Sequence, residues 1–287
     1  MDGIINVYKP CGMTSHDVVN KIRKIAGTKK VGHTGTLDPD AEGVLPICIN
    51  RATKAADMLT ASDKRYTASF KLGIVTDTLD MGGNVVKTSD VEVTEEQIKN
   101  AVMSFVGESE QIPPMYSAIK VDGKKLCDLA RKGVEVERKP RKIFIYGIKI
   151  LDVAKDTFTI DVKCSKGTYI RTLGFDIGEK LGCGAVMTSL IRTQSSLFTA
   201  DKSVKLNDLT PENYKDYVVP VDSIFDYEKI TLDGEALRKV LNGNSIKYEG
   251  AANGKMYRVY ASDGRFLCVS YAEDGTLKVR KMFYVGE

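Results

Sequence analysis

The sequence predicts an α+β fold, and three observations carry that expectation. Several runs alternate apolar and polar residues with the two-residue period of half-buried strands, as Tyr66, Ala68, Phe70 and Leu72 do. Other segments carry apolar stripes at helical spacing, opened by threonine or stopped by glycine. The two kinds follow no regular β-α-β order, which sets aside a doubly wound parallel sheet, and the helices set aside an all-β protein.

Gly3 to Lys9 reads as the first strand, and Thr14 to Ala26 as a helix. Thr14 and Asp17 have capping-box spacing, Val18, Val19, Ile22 and Ile25 make the apolar stripe, and Gly27 stops it. A glycine-rich loop, Val31 to Gly43, leads into an apolar strand, Val44 to Asn50. Thr94 to Val106 reads as a second helix, with Thr94 and Gln97 at capping-box spacing. Ser117 to Lys125 suggests a hairpin around Asp122-Gly123, followed by a short helical stretch, Leu126 to Arg131. Ile143 to Leu151 and Thr157 to Cys164 read as strands, Thr168 to Leu181 as a helix and Ala185 to Thr193 as a strand. Near the end, a short helix over Thr231 to Leu241 precedes strands near Met256–Ala261, Arg265–Tyr271 and Leu277–Tyr284, with turns at Asp263-Gly264 and Asp274-Gly275.

Charge divides the chain. The whole carries 42 Lys plus Arg against 38 Asp plus Glu, a net charge of only +4 over 287 residues. Residues 120–142 hold nine basic and four acidic residues, so this stretch alone is +5. Residues 201–228 are acidic, three basic against seven acidic, and residues 229–287 return to +3, ten against seven. The expected organisation is a main domain over 1–222 with a basic insert at 120–142, an acidic connector, and a small β-barrel over 229–287. A basic run is either a solvated loop or an arm that grips phosphates.

Other classes drop out. No basic segment precedes an apolar stretch at the N-terminus, and no run approaches the ~20 apolar residues of a membrane span. The six cysteines form no C-x-x-C pair and read as free thiols of a reducing cytosol. Two histidines and dispersed thiols give no cluster with zinc-ligand spacing. Ser117-Ala118-Ile119-Lys120 matches S-x-x-K, but its companion motifs are missing and the serine reads as strand-borne. Gly182 and Gly184 lack the third glycine of a dinucleotide loop. His33 and Asp38 lack a G-x-S-x-G nucleophile to complete a triad.

The segment Val31 to Gly43 remains. Its glycines permit unusual backbone angles, and Pro39 biases Asp38 away from helical geometry, so Asp38 projects from a stiff turn just before a strand. From spacing alone, a turn aspartate capping local N–H groups is the commoner role.

The motif Gly32-His33-Thr34-Gly35-Thr36-Leu37-Asp38-Pro39 resembles the catalytic loop of the bacterial tRNA pseudouridine-55 synthase (TruB) family. Tyr8-Lys9-Pro10-Cys11-Gly12-Met13-Thr14-Ser15 is similar to that family's N-terminal element. Asp63-Lys64-Arg65-Tyr66, Thr76-Asp77-Thr78-Leu79-Asp80, Gln111-Ile112-Pro113-Pro114-Met115-Tyr116-Ser117-Ala118, Gly123-Lys124-Lys125-Leu126 and Cys164-Ser165-Lys166-Gly167-Thr168-Tyr169-Ile170-Arg171 resemble its other blocks, in order. The likeness covers about residues 3 to 195 and is only architectural beyond the acidic connector.

The resemblance implies the pseudouridine synthase fold, a mixed and mainly antiparallel sheet with flanking helices and a central cleft, plus a C-terminal PUA-like barrel. It implies isomerisation of uridine 55 in the T loop of tRNA to pseudouridine, without cofactor or metal. It assigns Asp38 as nucleophile, Arg171 as its charge partner with Asp80 behind, and Tyr66 as a catalytic residue that stacks on the flipped uracil and is a candidate to handle a proton. His33 is matched to the residue that enters the T loop, and Tyr169 and Leu190 to the pocket lining. Lys9 and Pro10 are expected to buttress the loop. The insert, with Lys124, Lys125, Arg131 and Lys132, is matched to the arm that folds onto the T arm. A cytoplasmic monomer needing no protein partner is the expected setting. A non-catalytic RNA-binding or tRNA-remodelling protein, and a guide-RNA-dependent synthase sharing the Asp loop, are the rival readings.

Overall fold

The computed structural model describes residues 1–284. The chain runs β1 (Gly3–Lys9), α1 (Ser15–Ala26), β2 (Val31–His33), β3 (Glu42–Ile49), α2 (Ala56–Thr60), β4 (Lys64–Leu72), β5 (Ile74–Thr76), β6 (Val85–Thr88), α3 (Glu95–Met103) and β7 (Gly107–Gln111). There follow β8 (Lys120–Val121), β9 (Lys124–Lys125), α4 (Leu126–Ala130), β10 (Arg141–Val153), β11 (Thr157–Cys164), α5 (Ile170–Lys180), β12 (Ala185–Ser195), β13 (Phe198–Thr199), β14 (Val204–Lys205) and β15 (Val218–Val219). The last part holds β16 (Glu228–Leu232), α6 (Gly234–Leu241), β17 (Ile246–Lys247), β18 (Met256–Ala261), β19 (Phe266–Glu273) and β20 (Thr276–Met282).

An α+β architecture is present. The main sheet runs β14-β1-β3-β12-β4-β11-β10-β7, with β2, β13 and β15 paired alongside. Its long neighbours are antiparallel. The exception at its centre matters most: β3 and β12 run parallel and are joined by only two residue pairs, Ile191 with Glu42 and Arg192 with Gly43. Two mainly antiparallel halves are thus stitched along a short seam, and the Asp38 loop enters β3 at that seam.

Both predicted capping boxes form. Thr14 accepts from the Asp17 amide and Thr94 from that of Gln97, each answered by the partner side chain. Helices α1, α3 and α5 lay their apolar stripes on one face of the main sheet, where Ile22, Ile98 and Ile177 join Leu45, Phe70 and Phe158 in one core. Glycine makes the closest approach possible: a Cβ on Gly174 of α5 would stand 2.1 Å from the Phe70 ring. This seats α5, which carries Arg171, directly on β4, which carries Tyr66.

A second, five-stranded sheet has the order β16-β18-β19-β20-β17 and its own core around Val240, Val259, Leu267 and Leu277. A third cluster joins the two sheets. Ile4, Val44 and Cys48, on the outer faces of β1 and β3, pack with Phe225, Val269 and Phe283. β3 is therefore buried on both faces, which is why it reads as a continuous apolar run.

The structure moves several expected boundaries. The helix expected from Thr231 begins at Gly234, because Glu228–Leu232 is a strand paired in parallel with β18. The helix expected from Thr168 begins at Ile170, and that expected to reach Val106 ends at Met103. Ser117 lies in a run of bends rather than a strand, and its hairpin shrinks to two pairs, Lys120 with Lys125 and Val121 with Lys124.

Candidate active site

The loop between β2 and β3 is held by buried polar side chains, none of them a carboxylate. Lys9 is fully buried at the end of β1, and its Nζ donates to the carbonyls of Pro10, Pro39 and Ala41 at 2.8, 2.9 and 2.6 Å. Burial pulls its pKa down, against nearby acids. Ser15 Oγ accepts from the Leu37 amide at 2.8 Å and donates to the Leu37 carbonyl at 3.1 Å. Leu37 itself is buried in the core, so the next side chain, Asp38, points out of it. The expected buttressing role of Lys9 is thus visible as three hydrogen bonds.

Asp38 meets Arg171, which sits in the first turn of α5 and is 5% exposed. Arg171 Nε lies 3.0 Å from Asp38 Oδ2, and Nη2 donates to Oδ1 at 3.2 Å. Nη2 also donates to the Tyr116 carbonyl at 2.8 Å, Nη1 donates to the Thr78 carbonyl at 2.7 Å, and Nη1 lies 3.4 Å from Asp80 Oδ2. Three hydrogen bonds, to Asp38, Tyr116 and Thr78, and two ion-pair contacts, to Asp38 and Asp80, fix the plane of the guanidinium. A cation in the first helical turn runs against the helix dipole; two carboxylates and two carbonyls offset this.

Electrostatics follow from that geometry. Burial raises the Asp38 pKa, Arg171 opposes the rise, and Asp80 adds to it. Burial also raises the phenols of Tyr66 and Tyr169, with Asp38 among the charges acting on both, so both rings are neutral near pH 7. His33 is pushed down by burial and by the Arg192 charge, leaving a neutral imidazole whose Nδ1 accepts from the Gly35 amide at 3.3 Å.

The structure brings Asp38, Arg171 and Asp80 into direct contact. Tyr66 stands on β4 opposite Arg192, with Leu190 opposite Ala68 on the same face of the sheet. Tyr169 caps α5 and is pinned by Gln111, which accepts from its amide at 2.7 Å and donates to its carbonyl at 3.1 Å. Lys124, Lys125, Arg131 and Lys132 are exposed on the insert, apart from the Asp38 cluster. The insert joins the site through its root: Arg171 holds the Tyr116 carbonyl, and Arg138 donates to Pro113 at 3.2 Å.

Sequence reasoning missed Ser15, Gln111 and Arg192. The first two lie inside recognised blocks, but no role attached to them. Arg192 offered one signal, a cation on the apolar face of a strand, two residues from Leu190.

Residues 23–170 match the TruB family pseudouridylate synthase N-terminal domain. The chain belongs to the TruB family. Residues 171–242 match the tRNA pseudouridylate synthase B C-terminal domain, and 229–283 the pseudouridine synthase II TruB C-terminal domain. A tRNA pseudouridine synthase B of Clostridium novyi is 48% identical over 98% of this chain and 99% of its own. That of Clostridium kluyveri is 47% identical over 99% and 100%. Among solved structures, a Cbf5-Nop10-Gar1 complex contains a chain that superposes with a TM-score of 0.75 at 27% identity, covering 98% of this chain and 85% of that one. An H/ACA RNP bound to a substrate RNA gives 0.73 at 25% identity, covering 99% and 85%. Membership of the TruB family assigns the expected fold and the class of reaction together.

Proposed function

We propose that this chain isomerises uridine 55 in the T loop of tRNA to pseudouridine, with Asp38 as the nucleophile. The observation that carries this reading is the Asp38–Arg171 pair, set on a backbone-fixed loop at the seam of the sheet. A nucleophilic carboxylate must stay ionised where water is scarce, and a guanidinium supplies the charge without giving up a proton.

The reaction is balanced within one nucleotide. The bond from N1 of uracil to C1′ of the ribose breaks, and a bond from C5 to C1′ forms. C5 loses a proton and N1 gains one, so no co-reactant is consumed. The target base must leave its stack to reach Asp38. Tyr66 stacks on the extruded uracil, Tyr169 and Leu190 line its pocket, and the uncharged ring of His33 takes the place vacated in the T loop. Asp80 holds Arg171 from behind. The exposed cations of the insert grip the T-arm phosphates.

Full-length similarity to proteins named tRNA pseudouridine synthase B supports the tRNA substrate over the rival readings. The Cbf5 chain was solved in complex with Nop10 and Gar1; the reading here is a cytoplasmic monomer that acts alone. The test is incubation of the purified chain with an unmodified tRNA transcript, without guide RNA or added protein, and mapping of pseudouridine by position. Modification at position 55 alone is expected, and Asp38→Asn is expected to bind the transcript and form none. Turnover by that variant, or a requirement for guide RNA, rejects the assignment.

A further inference from the structure

Arg192 is among the largest fully buried side chains, at 1% exposure. Its Nε donates to the Val44 carbonyl at 2.7 Å, and Nη2 to the Gly35 carbonyl at 3.1 Å, with Nη1 3.5 Å from the Thr36 carbonyl. Gly35 and Thr36 lie just before Asp38, and Val44 lies where the loop has become β3. One guanidinium therefore ties together both ends of the catalytic loop.

The backbone of the same residue closes the seam. A Cβ on Gly43 would stand 2.3 Å from the Arg192 carbonyl oxygen, and Gly43 sits at φ +105, so the loop's last turn lies directly against residue 192. Across the other edge of β12, Arg192 faces Tyr66 in the register. Among the described residues no carboxylate lies within ion-pair distance of it. The titratable groups that sense its charge are Tyr66, His33 and Lys64. A buried cation whose partners are all uncharged is costly to fold, and an apolar side chain of similar volume is often the more stable filling. Packing alone therefore does not account for it.

We propose that Arg192 is a positioning residue for the isomerisation, fixing the two ends of the Asp38 loop and holding positive charge against the Tyr66 phenol. This rests on the reading of Asp38 and Tyr66 as groups that serve the reaction. Through one side chain, the nucleophile and the stacking ring keep a common frame.

The test compares Arg192→Met, Arg192→Lys, Tyr66→Phe and the Arg192→Met/Tyr66→Phe double variant. The measurements are single-turnover pseudouridine formation at saturating tRNA, and tRNA Kd. Met should slow the step about 100-fold, the cost of a small misplacement of a reacting group, with Kd within about threefold. Lys keeps the charge but cannot span Gly35 and Val44 together, so it should recover to about tenfold below the parent. The double variant should be far less impaired than the product of the singles. Parent-like rate in Arg192→Met, equal losses in Kd and rate, or multiplicative effects with Tyr66→Phe each overturn the proposal. If the Met variant does not fold, Arg192→Lys decides: parent-like rate rejects the role. Asp38→Asn in the same assay separates the two readings. An inactive Asp38→Asn beside a fully active Arg192→Met rejects Arg192 alone, whereas an active Asp38→Asn rejects both.

Discussion

Arg171 and Asp38 meet side-on, with Nε 3.0 Å from Oδ2 and Nη2 3.2 Å from Oδ1. The two residues are 133 positions apart. They meet because α5 sits on β4 with no side chain at Gly174 between them, while Leu37 and Ser15 anchor the loop from the other side. The pair is thus a product of the packing of two elements, and its geometry can fail without either residue being changed.

Arg171→Lys should be severely impaired. An ammonium offers three donors from one point and cannot serve Asp38, Asp80, Thr78 and Tyr116 together. Single-turnover pseudouridine formation should fall about 100-fold, roughly 2.7 kcal/mol of barrier, while tRNA Kd changes little. A rate within threefold of the parent would show that only the charge of Arg171 matters.

The acid limb of the rate should lie above the ordinary carboxylate range, because burial raises Asp38 from 3.8 and the reaction needs it ionised. Stability runs the other way. The native state holds the Asp38 proton more tightly than the unfolded chain does, so its contribution is fully present below the unfolded pKa and is lost as pH rises through the raised native value. Arg171→Met removes the main opposing charge and leaves Asp80 in place, so the limb should move further up. Single-turnover rates from about pH 5 to pH 8 read this directly; a limb that stays put separates Arg171 from the ionisation of Asp38.

Gly174→Ala tests the seat of α5. The added methyl would stand 2.1 Å from Cε1 and 2.2 Å from Cδ1 of Phe70, a buried ring stacked on Phe158 with centroids 4.9 Å apart. The ring has little room to yield, so a loss of about 1–3 kcal/mol is expected, read as a lower urea midpoint at unchanged slope. An unchanged midpoint would mean that α5 shifts along the sheet, and turnover would then fall through Arg171 instead.

Much of this architecture was legible because it is written locally. The capping boxes at Thr14 and Thr94 depend on residues three apart, and the alternation in β4 on residues two apart. The helix expected from Thr231 failed for the opposite reason: Thr231 and Leu232 are claimed by parallel pairing with Tyr260 and Ala261. The site divides the same way. The Asp38 loop and the Arg171 block stand out as motifs. Arg192 does not, because its carbonyl partners are about 150 positions away and a cation in a strand ordinarily reads as exposed.

The exposed insert should govern how salt affects binding. Lys124, Lys125, Arg131 and Lys132 are exposed, and the only one of the four with an ion pair among the described residues, Arg131 with Asp128 at 3.6 Å, is itself open to solvent. Such a pair is worth little and can exchange for phosphate. Each phosphate neutralised releases condensed counterions, so the dependence of log Kd on log salt counts these contacts. Replacing all four with glutamine should weaken tRNA binding most at low salt and reduce the slope by about 3. Turnover at saturating tRNA should survive, since none of the four touches Asp38, Arg171 or Asp80. A uniform loss of affinity with the slope intact would place the phosphate contacts elsewhere, with the C-terminal sheet and its excess of basic residues the next surface to neutralise.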